Sequence, residues 1–230
     1  MSDSAPIHLR PTAPLSERVL LPGDPGRALA LAQALLVEPR MFNHHRGLWG
    51  YTGAAPDGEP LTIQSTGMGG PSAAIVLSEL IALGTRRAIR VGTCGGLHRE
   101  LALGDLVIAR EAICADGTSR ALGSGERVSA DPSLTEKLLR GAPAAHAGTV
   151  VSVDLFYETP ERRRAHDALA VEMEAAALFS LGSAAEVQIA CILAVSDTFD
   201  ANGARLRVED HSLLAAAERM GAAAVAALCC

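Results

Sequence analysis

Short apolar runs alternate along the chain with longer Ala-rich segments whose apolar residues have helical spacing. Buried strands are expected where the runs have strand length, at residues 19–21, 88–91, 106–112, 149–153 and 188–195. The helical patterns cover residues 26–36, a stretch from Pro71, residues 174–181 and a last helix from about Val208. This alternation predicts an α/β fold, a single domain with three α/β/α layers and a central twisted mixed sheet.

Gly, Pro and Asp residues mark the breaks between these elements. Pro56-Asp57-Gly58 lies between two apolar runs and predicts a hairpin. Two polar segments, 116–132 and 198–207, are candidates for mobile loops over a site. No internal repeat or low-complexity linker divides the chain, so we expect one domain over residues 1–230.

The net charge is mildly acidic, at −6 over 230 residues. Such a chain does not attract nucleic acid as a whole, so an anionic ligand must meet a local cluster of cations. The basic residues are arginines except for Lys137, and the sequence contains no Gly-Lys pair, which excludes a Walker-type phosphate loop. The rigid guanidinium fork suits recognition of phosphate or carboxylate.

The five cysteines lack the spacing of a metal site or a disulfide framework, which predicts reduced thiols and a cytoplasmic protein. The N-terminal residues are polar and contain no signal-peptide core. The apolar run from Met220 is shorter than the roughly 20 residues that a bilayer requires, so no membrane contact is expected. The adjacent His44 and His45 have no third ligand at zinc spacing, and no metal is expected. No role is assigned to Cys229 and Cys230.

Two predicted strand ends carry cations. Residues 23–27 lead from the first strand into a helix, where free amides and the guanidinium of Arg27 attract an anion. The alternative is an ordinary turn with Arg27 in solvent. Arg90 lies in an apolar strand followed by Thr93, and burial of its charge requires a carboxylate or a bound anion. These residues predict an anion site at the edge where parallel strands end.

Acidic residues stand at the start of one predicted helix and at the end of one predicted strand. Glu172 and Glu174 open a helix, where both could simply complement the helix dipole. Asp197 ends a very apolar strand, and a desolvated carboxyl there suits the work of a general acid. The alternative for Asp197 is a cap that accepts backbone N–H groups. The Gly-rich turn at residues 66–71 does not complete the GxGxxG pattern, so a Rossmann site is not supported.

Seven short segments form an ordered set along the chain. They are LPGDPGRA (21–28), HRGLWGYTG (45–53), STGMGGPSAA (65–74), IRVGTCGG (89–96), SVDLFY (152–157), VEMEAAAL (171–178) and AVSDT (194–198). Together they resemble the purine nucleoside phosphorylase and uridine phosphorylase family, of the hexameric bacterial type, and the purine enzymes most closely. The resemblance implies a pentosyltransferase that splits a nucleoside with inorganic phosphate as co-substrate and without a cofactor.

The same resemblance implies a role for each candidate site residue. Phosphate would be held by Gly23, Arg27, Arg90 and Thr93, with Arg46 supplied by a neighbouring subunit. The ribose would contact Met68, Met173, Glu174 and His8, the last again from the neighbour. The base would lie beside Phe156 and Ser196, with Asp197 as the acid at purine N7 and Arg205, or alternatively Arg207, assisting it. The family pattern implies a homo-oligomer, a hexamer built as a trimer of dimers.

A few positions decide between purine and pyrimidine. Uridine-specific members resemble this chain through the SVDLFY segment and then use a Gln and an Arg on the uracil edge. Here Pro160 stands in place of the Gln, while Arg162 matches the Arg. The Ser196-Asp197 pair is typical of the purine enzymes and favours purine, whereas Thr93 is the residue of the uridine enzymes. Uridine phosphorylase, a nucleosidase of the same fold and a non-catalytic sensor remain alternatives, although three arginines argue against a nucleosidase that uses water.

Overall fold

A mixed sheet of eleven strands lies at the centre of the structure, a computed structural model that describes residues 6–157, 159, 166–200 and 203–229. In chain order the strands are β1 (Arg18–Leu21), β2 (Val37–Asn43), β3 (Gly50–Ala54), β4 (Pro60–Gln64), β5 (Arg87–Gly96), β6 (Leu106–Cys114), β7 (Arg127–Ser129), β8 (His146–Ser152), β9 (Ala170–Glu172), β10 (Gln188–Phe199) and β11 (Arg205–Arg207). The helices of the described residues are α1 (Pro25–Leu35), α2 (Gly70–Ala82), α3 (Gly117–Ala121), α4 (Pro132–Gly141), α5 (Ala175–Ala185) and α6 (Asp210–Cys229). A short 3-10 turn, His45–Gly47, follows β2.

The sheet curls until it closes on itself. Strand β5 pairs in parallel with β1 on one side and β10 on the other, and its end pairs antiparallel with β9. Strand β10 also pairs antiparallel with β6, which pairs in parallel with β8, and β8 pairs in parallel with β9. These five strands form a closed ring, while β4, β3 and β2 extend the sheet beyond β1. The predicted α/β fold with a twisted mixed sheet is confirmed. The apolar pattern did not predict that five of the strands form a closed ring.

Apolar side chains cover both faces of this sheet. Along β10, alternate residues from Ile189 to Val195 lie in a core with α2 and α5. The intervening residues Ala190, Ile192 and Ala194 lie in a second core with α1, α4 and α6. Successive residues of a strand face opposite sides, so a strand that is buried on both sides is apolar throughout. This burial explains the unbroken apolar run in the sequence and gives the three predicted layers.

Three helices begin at aspartates that cap their first turns. The carboxylates of Asp24, Asp116 and Asp131 each accept a 2.7 Å hydrogen bond from the amide of the third residue that follows. A side-chain acceptor at this position satisfies one of the amides that a helix start leaves free. The Asp24 cap sets the start of α1 directly after β1, which brings the first turn of α1 to the end of the sheet.

Two strands extend further than the apolar pattern indicated. Strand β5 continues through its glycines as far as Gly96, and β10 continues through Asp197. The glycines pair with neighbouring strands, with Gly92 opposite Leu193 and Gly95 opposite Asp197. The strand predicted at residues 88–91 is therefore longer than its apolar run. A glycine in a strand removes a side chain from one face, and here that space is used by other side chains.

The segment 116–132 is more regular than its polar, Gly-rich sequence indicated. It contains α3, capped by the buried Asp116, and β7, which pairs antiparallel with β6. Strands β2 and β9 were not predicted, because β2 is largely exposed and β9 has only three residues. Short or solvated strands lack the apolar signal on which sequence reasoning depends.

Helix α6 is long and apolar enough, by length and composition, to cross a membrane, with a mean hydropathy of 1.4 over its apolar stretch. Half of that stretch is buried inside the protein. Its buried face, which includes Met220 and Ala224, lies in the core with α1 and α4. This packing is that of a core helix, which passes the same test of length and composition.

Candidate active site

A cavity of about 370 Å³ opens where several strands of the sheet end. Turns after β1 and β4, the ends of β5, β9 and β10, the segment after β8 and the start of α5 surround it. In α/β sheets this edge is the usual place for a ligand. Of the predicted site residues, the structure brings eleven together in its lining: Gly23, Arg27, Met68, Arg90, Thr93, Phe156, Met173, Glu174, Ser196, Asp197 and Arg205.

Arg90 forms the buried cationic centre of the cavity. Its side chain is 5% exposed, and its Nε donates to Glu172 Oε2 at 3.1 Å while its Nη2 donates to Glu174. Burial alone would lower the pKa of Arg90, but Glu174 and Glu172 outweigh it and the pKa is raised. Within the described residues, Nη1 is buried and has no hydrogen-bond partner. The sequence predicted that the charge of this arginine must be compensated, and two carboxylates compensate it, while the N–H groups of Nη1 can donate to a ligand.

Glu172 is the main site residue that sequence reasoning missed. Besides Arg90, its carboxylate accepts from the hydroxyl of Ser152 and from the amides of Glu174 and Ala175, both at 2.9 Å. Burial raises the pKa of Glu172, Arg90 opposes the increase and Glu174 adds to it. The signal was present, since a buried arginine requires a carboxylate, but nothing in the sequence connects residue 90 to residue 172.

Glu174 joins the arginine to the turn that precedes α2. Its Oε1 accepts the amide N–H of Gly69 at 2.6 Å, and its Oε2 accepts from Arg90. The turn therefore lies against the carboxylate, and Met68 stands at the rim with 86% of its surface exposed. A buried carboxylate held by two donors is suited to accept further hydrogen bonds from ligand hydroxyls.

The cationic end of the cavity is built from two turns and two guanidiniums. A Cβ added to Gly23 would lie 3.3 Å from the Gly67 carbonyl oxygen and 3.9 Å from Arg90 Nη1, so the turns approach closely here. Arg27 also lines this region, and its backbone amide donates to the Asp24 cap, which fixes the first turn of α1 beside the cavity. Burial lowers the pKa of Arg27, and Arg90 adds to that effect against the opposing charge of Asp24. An anion bound here would stabilise both cations.

Asp197 forms a buried acidic group on β10. A register shift between Val195 and Asp197 marks a β-bulge, a feature that redirects side chains at the end of a strand. The Ser196 hydroxyl lies 2.7 Å from Asp197 Oδ2 and 3.3 Å from the Cys94 carbonyl oxygen. Within the described part of the chain, the buried Oδ1 has no hydrogen-bond partner. The capping alternative for Asp197 is thus not observed among the described residues, and Oδ1 can accept a hydrogen bond from a ligand.

The two arginines proposed to assist Asp197 occupy different places. Arg205 lines the cavity, donates from Nη2 to the Phe156 carbonyl at 3.2 Å and lies 4.1 Å above the Phe156 ring. Its Nε is 4.0 Å from Asp197 Oδ1. Arg207 lies directly opposite Asp197 in the β10–β11 pair, with its Nε 3.4 Å from Oδ1, but its side chain is 68% exposed. Arg205 therefore holds the Phe156 segment, and Arg207 is the closer ion partner of Asp197.

His8 and Arg46 lie outside this cavity, on a shared surface. The ring Nδ1 of His45, next to Arg46, donates to the His8 carbonyl at 2.9 Å. Arg46 is exposed in the 3-10 turn, with a φ of 59°.

Two positions used to weigh purine against pyrimidine, Pro160 and Arg162, lie outside the described residues.

Fold and site together define an α/β protein whose cavity combines arginines for an anion with buried carboxylates. The sequence pattern of the Phosphorylase superfamily matches residues 17–229, and the chain belongs to this family.

Several relatives are similar over most of their length. The chain is 34% identical over 197 residues to a DeoD-type purine nucleoside phosphorylase of Oceanobacillus iheyensis, covering 80% of this chain and 83% of the relative. It is 38% identical to the DeoD-type enzyme of Roseobacter denitrificans, covering 86% and 88%. Among solved structures, uridine phosphorylase from Vibrio fischeri ES114 superposes with a TM-score of 0.81 at 27% identity, covering 94% of this chain and 92% of that one.

Proposed function

We propose that the protein is a purine nucleoside phosphorylase. It would cleave the N-glycosidic bond of purine ribonucleosides or 2′-deoxyribonucleosides with inorganic phosphate, releasing the free base and (deoxy)ribose 1-phosphate. The observation that carries the proposal is that Asp197 Oδ1 and Arg90 Nη1 lie in the same cavity, both buried and both without a hydrogen bond from the described residues. An acid for the leaving base and a cation for the attacking anion are the two groups that phosphorolysis requires.

Positioning of phosphate supplies a large part of the rate in this mechanism. Arg27, Arg90, Thr93 and the turn at Gly23 hold the anion and direct one oxygen toward C1′ of the sugar. The glycosidic bond breaks through an oxocarbenium-like state, as in glycosidases. Glu174 accepts hydrogen bonds from the ribose hydroxyls, and its negative charge stabilises the positive charge that develops on the sugar.

The purine leaves more readily when it is protonated. Asp197 donates a proton or a hydrogen bond to N7, an effect of roughly 10²–10⁴ for a well-placed general acid. Ser196 orients the carboxyl through its 2.7 Å contact with Oδ2. Phe156 contacts the base, and Arg205 holds that ring in place. The sugar packs against Met68 and Met173.

Purine is favoured over uridine for two reasons. The curated relatives described above carry the purine name at 34% and 38% identity, whereas the uridine phosphorylase structure is 27% identical. The acid Asp197 has a clear task at N7 of a purine, and a pyrimidine has no such atom. Uridine phosphorylase remains the second candidate because Thr93 and Arg162 are of the uridine type.

Two residues support an oligomer that completes each site. His8 and Arg46 lie on one surface outside their own cavity, so each would act in the cavity of a neighbouring subunit. A hexamer arranged as a trimer of dimers satisfies this requirement. We further propose that residues 1–230 form one domain and that the enzyme works in the cytoplasm, in purine salvage.

The deciding experiment offers inosine, adenosine and uridine to the purified protein, each with and without millimolar phosphate. Free base and ribose 1-phosphate are measured. Phosphate-dependent release of hypoxanthine and adenine, with little uracil, supports the proposal. Dominant uracil release would identify a uridine phosphorylase, release without phosphate a nucleosidase, and binding without release a sensor.

A further inference from the structure

The carboxylate of Glu79, on the third turn of α2, binds the N-terminal segment of the chain. It accepts the amide N–H groups of three successive residues: Ile7 at 3.0 Å, His8 at 3.0 and 3.1 Å, and Leu9 at 2.7 Å. Successive amides that converge on one anion form a compact binding nest for it. The backbone around His8 is therefore fixed to α2 by a single side chain.

The same carboxylate also determines the state of the His8 ring. Its Oε1 lies 2.8 Å from His8 Nδ1. Burial raises the pKa of Glu79, but the hydrogen bonds from the His8 and Leu9 amides and from the His8 ring outweigh it and the pKa is lowered. An ionised carboxylate only accepts hydrogen bonds, so Nδ1 must carry the proton. In the neutral ring Nε2 then has a lone pair and acts as an acceptor.

Contacts on the other side of the segment complete its fixation. The His8 carbonyl accepts from His45 Nδ1 at 2.9 Å, and the Arg10 amide donates to Asn43 Oδ1 at 2.9 Å. The Leu9 side chain is buried in the core. In spite of these bonds 29% of the His8 side chain is exposed. The structure thus presents an orientated imidazole at the surface of the protein, outside the cavity of its own chain.

We propose that Glu79 is a positioning residue that fixes the place and the tautomer of His8. With Nδ1 held by Glu79, Nε2 accepts a hydrogen bond from the 5′-hydroxyl of a nucleoside bound in the neighbouring subunit. Glu79 itself touches no substrate. The inference rests on the proposed function, in which His8 completes the neighbour's ribose site. It adds Glu79 as the residue that keeps His8 Nε2 an acceptor for the 5′-hydroxyl.

The test uses two substrates that differ only in that hydroxyl, inosine and 5′-deoxyinosine, with saturating phosphate. The measured quantity is the ratio of their kcat/KM values. Glu79→Gln places an amide N–H against backbone N–H groups and should lower the ratio about 10-fold, the order expected for one lost hydrogen bond. His8→Ala should lower it as far, and adding Glu79→Gln to His8→Ala should change it no further. Glu136→Gln, which alters an exposed helical glutamate of α4, should leave the ratio unchanged.

Several results would overturn the inference. Equal losses on both substrates in Glu79→Gln would mean that Glu79 only stabilises the fold. Wild-type kinetics of Glu79→Gln on both substrates would mean that Glu79 does not influence the contact with the hydroxyl. A wild-type ratio near one would mean that the 5′-hydroxyl makes no productive contact with His8. If the wild type releases no base from any nucleoside with phosphate, the proposed function itself fails, which the unsubstituted enzyme reveals first.

A spectroscopic measurement on the wild type avoids any effect of substitution on folding. Nitrogen-15 shifts of the His8 ring, assigned with His8→Ala, distinguish the two neutral tautomers. We expect the Nδ1-protonated form at alkaline pH. A ring protonated at Nε2 would contradict the proposal.

Discussion

Substitution of Gly92 by alanine should displace the arginine at the centre of the site. The added Cβ would lie 2.7 Å from Arg90 Nη2 and 2.8 Å from its Cζ, so the guanidinium must retreat by about 0.7 Å to reach the 3.4 Å of ordinary contact. An exposed arginine would simply swing away. Arg90 is buried and bonded to both Glu172 and Glu174, so its movement weakens two buried charge pairs.

The size of the effect follows from that geometry. A misplacement on the scale of 1 Å in a positioning group costs about 100-fold in rate. This corresponds to about 2.7 kcal/mol of transition-state stabilisation. Overpacking a core position costs a further amount in folding, about 1–3 kcal/mol. We therefore expect kcat/KM for phosphate to fall about 100-fold in Gly92→Ala and the free energy of unfolding to fall by about 2 kcal/mol.

The assay varies phosphate at saturating inosine and compares two glycine variants. Gly125→Ala is the control, because a Cβ there meets nothing within 4 Å. It should behave as the wild type in both phosphate dependence and denaturant unfolding. Wild-type phosphate kinetics in Gly92→Ala would refute the reasoning, because Arg90 would then either tolerate the displacement or have no role with phosphate.

Three further outcomes are expected. Asp197→Asn should lower kcat by about 100-fold or more for adenosine and less for inosine, because the amide cannot supply a proton; equal losses would mean that the side chain only positions the base. Dilution until subunits dissociate should abolish turnover if His8 and Arg46 act across an interface, and active monomers would disprove this. The hydrogen bond from Arg18 holds the pKa of Asp57 well below its ordinary value of 3.8. The stability from this pair is therefore present above about pH 4 and lost as pH falls, so denaturant unfolding of wild type and Asp57→Asn should converge in acid.

Much of the fold was readable from local pattern. The buried run that became β10 and the hairpin turn at Pro56-Asp57-Gly58 were predicted, because their signals depend on neighbours a few residues apart. The extent of β5 was not, since its glycines resemble a turn until the strands on either side are known. The closure of the sheet was not predicted for the same reason, because it depends on pairs such as β5 with β9 that are distant in sequence.

The candidate site, like the fold, was predicted from the sequence only in part. The sequence by itself determined that the charge of Arg90 had to be compensated and that Asp197 lay at the end of an apolar run, because burial of charge has a cost wherever the chain places it. Only the tertiary structure decided which groups meet these residues. Glu172 and Glu174 reach Arg90 because β9 pairs with the end of β5, and His8 is held by Glu79 because the N-terminal segment crosses α2. Such contacts join residues 71 to 84 positions apart, and only a folded chain brings them within hydrogen-bond distance.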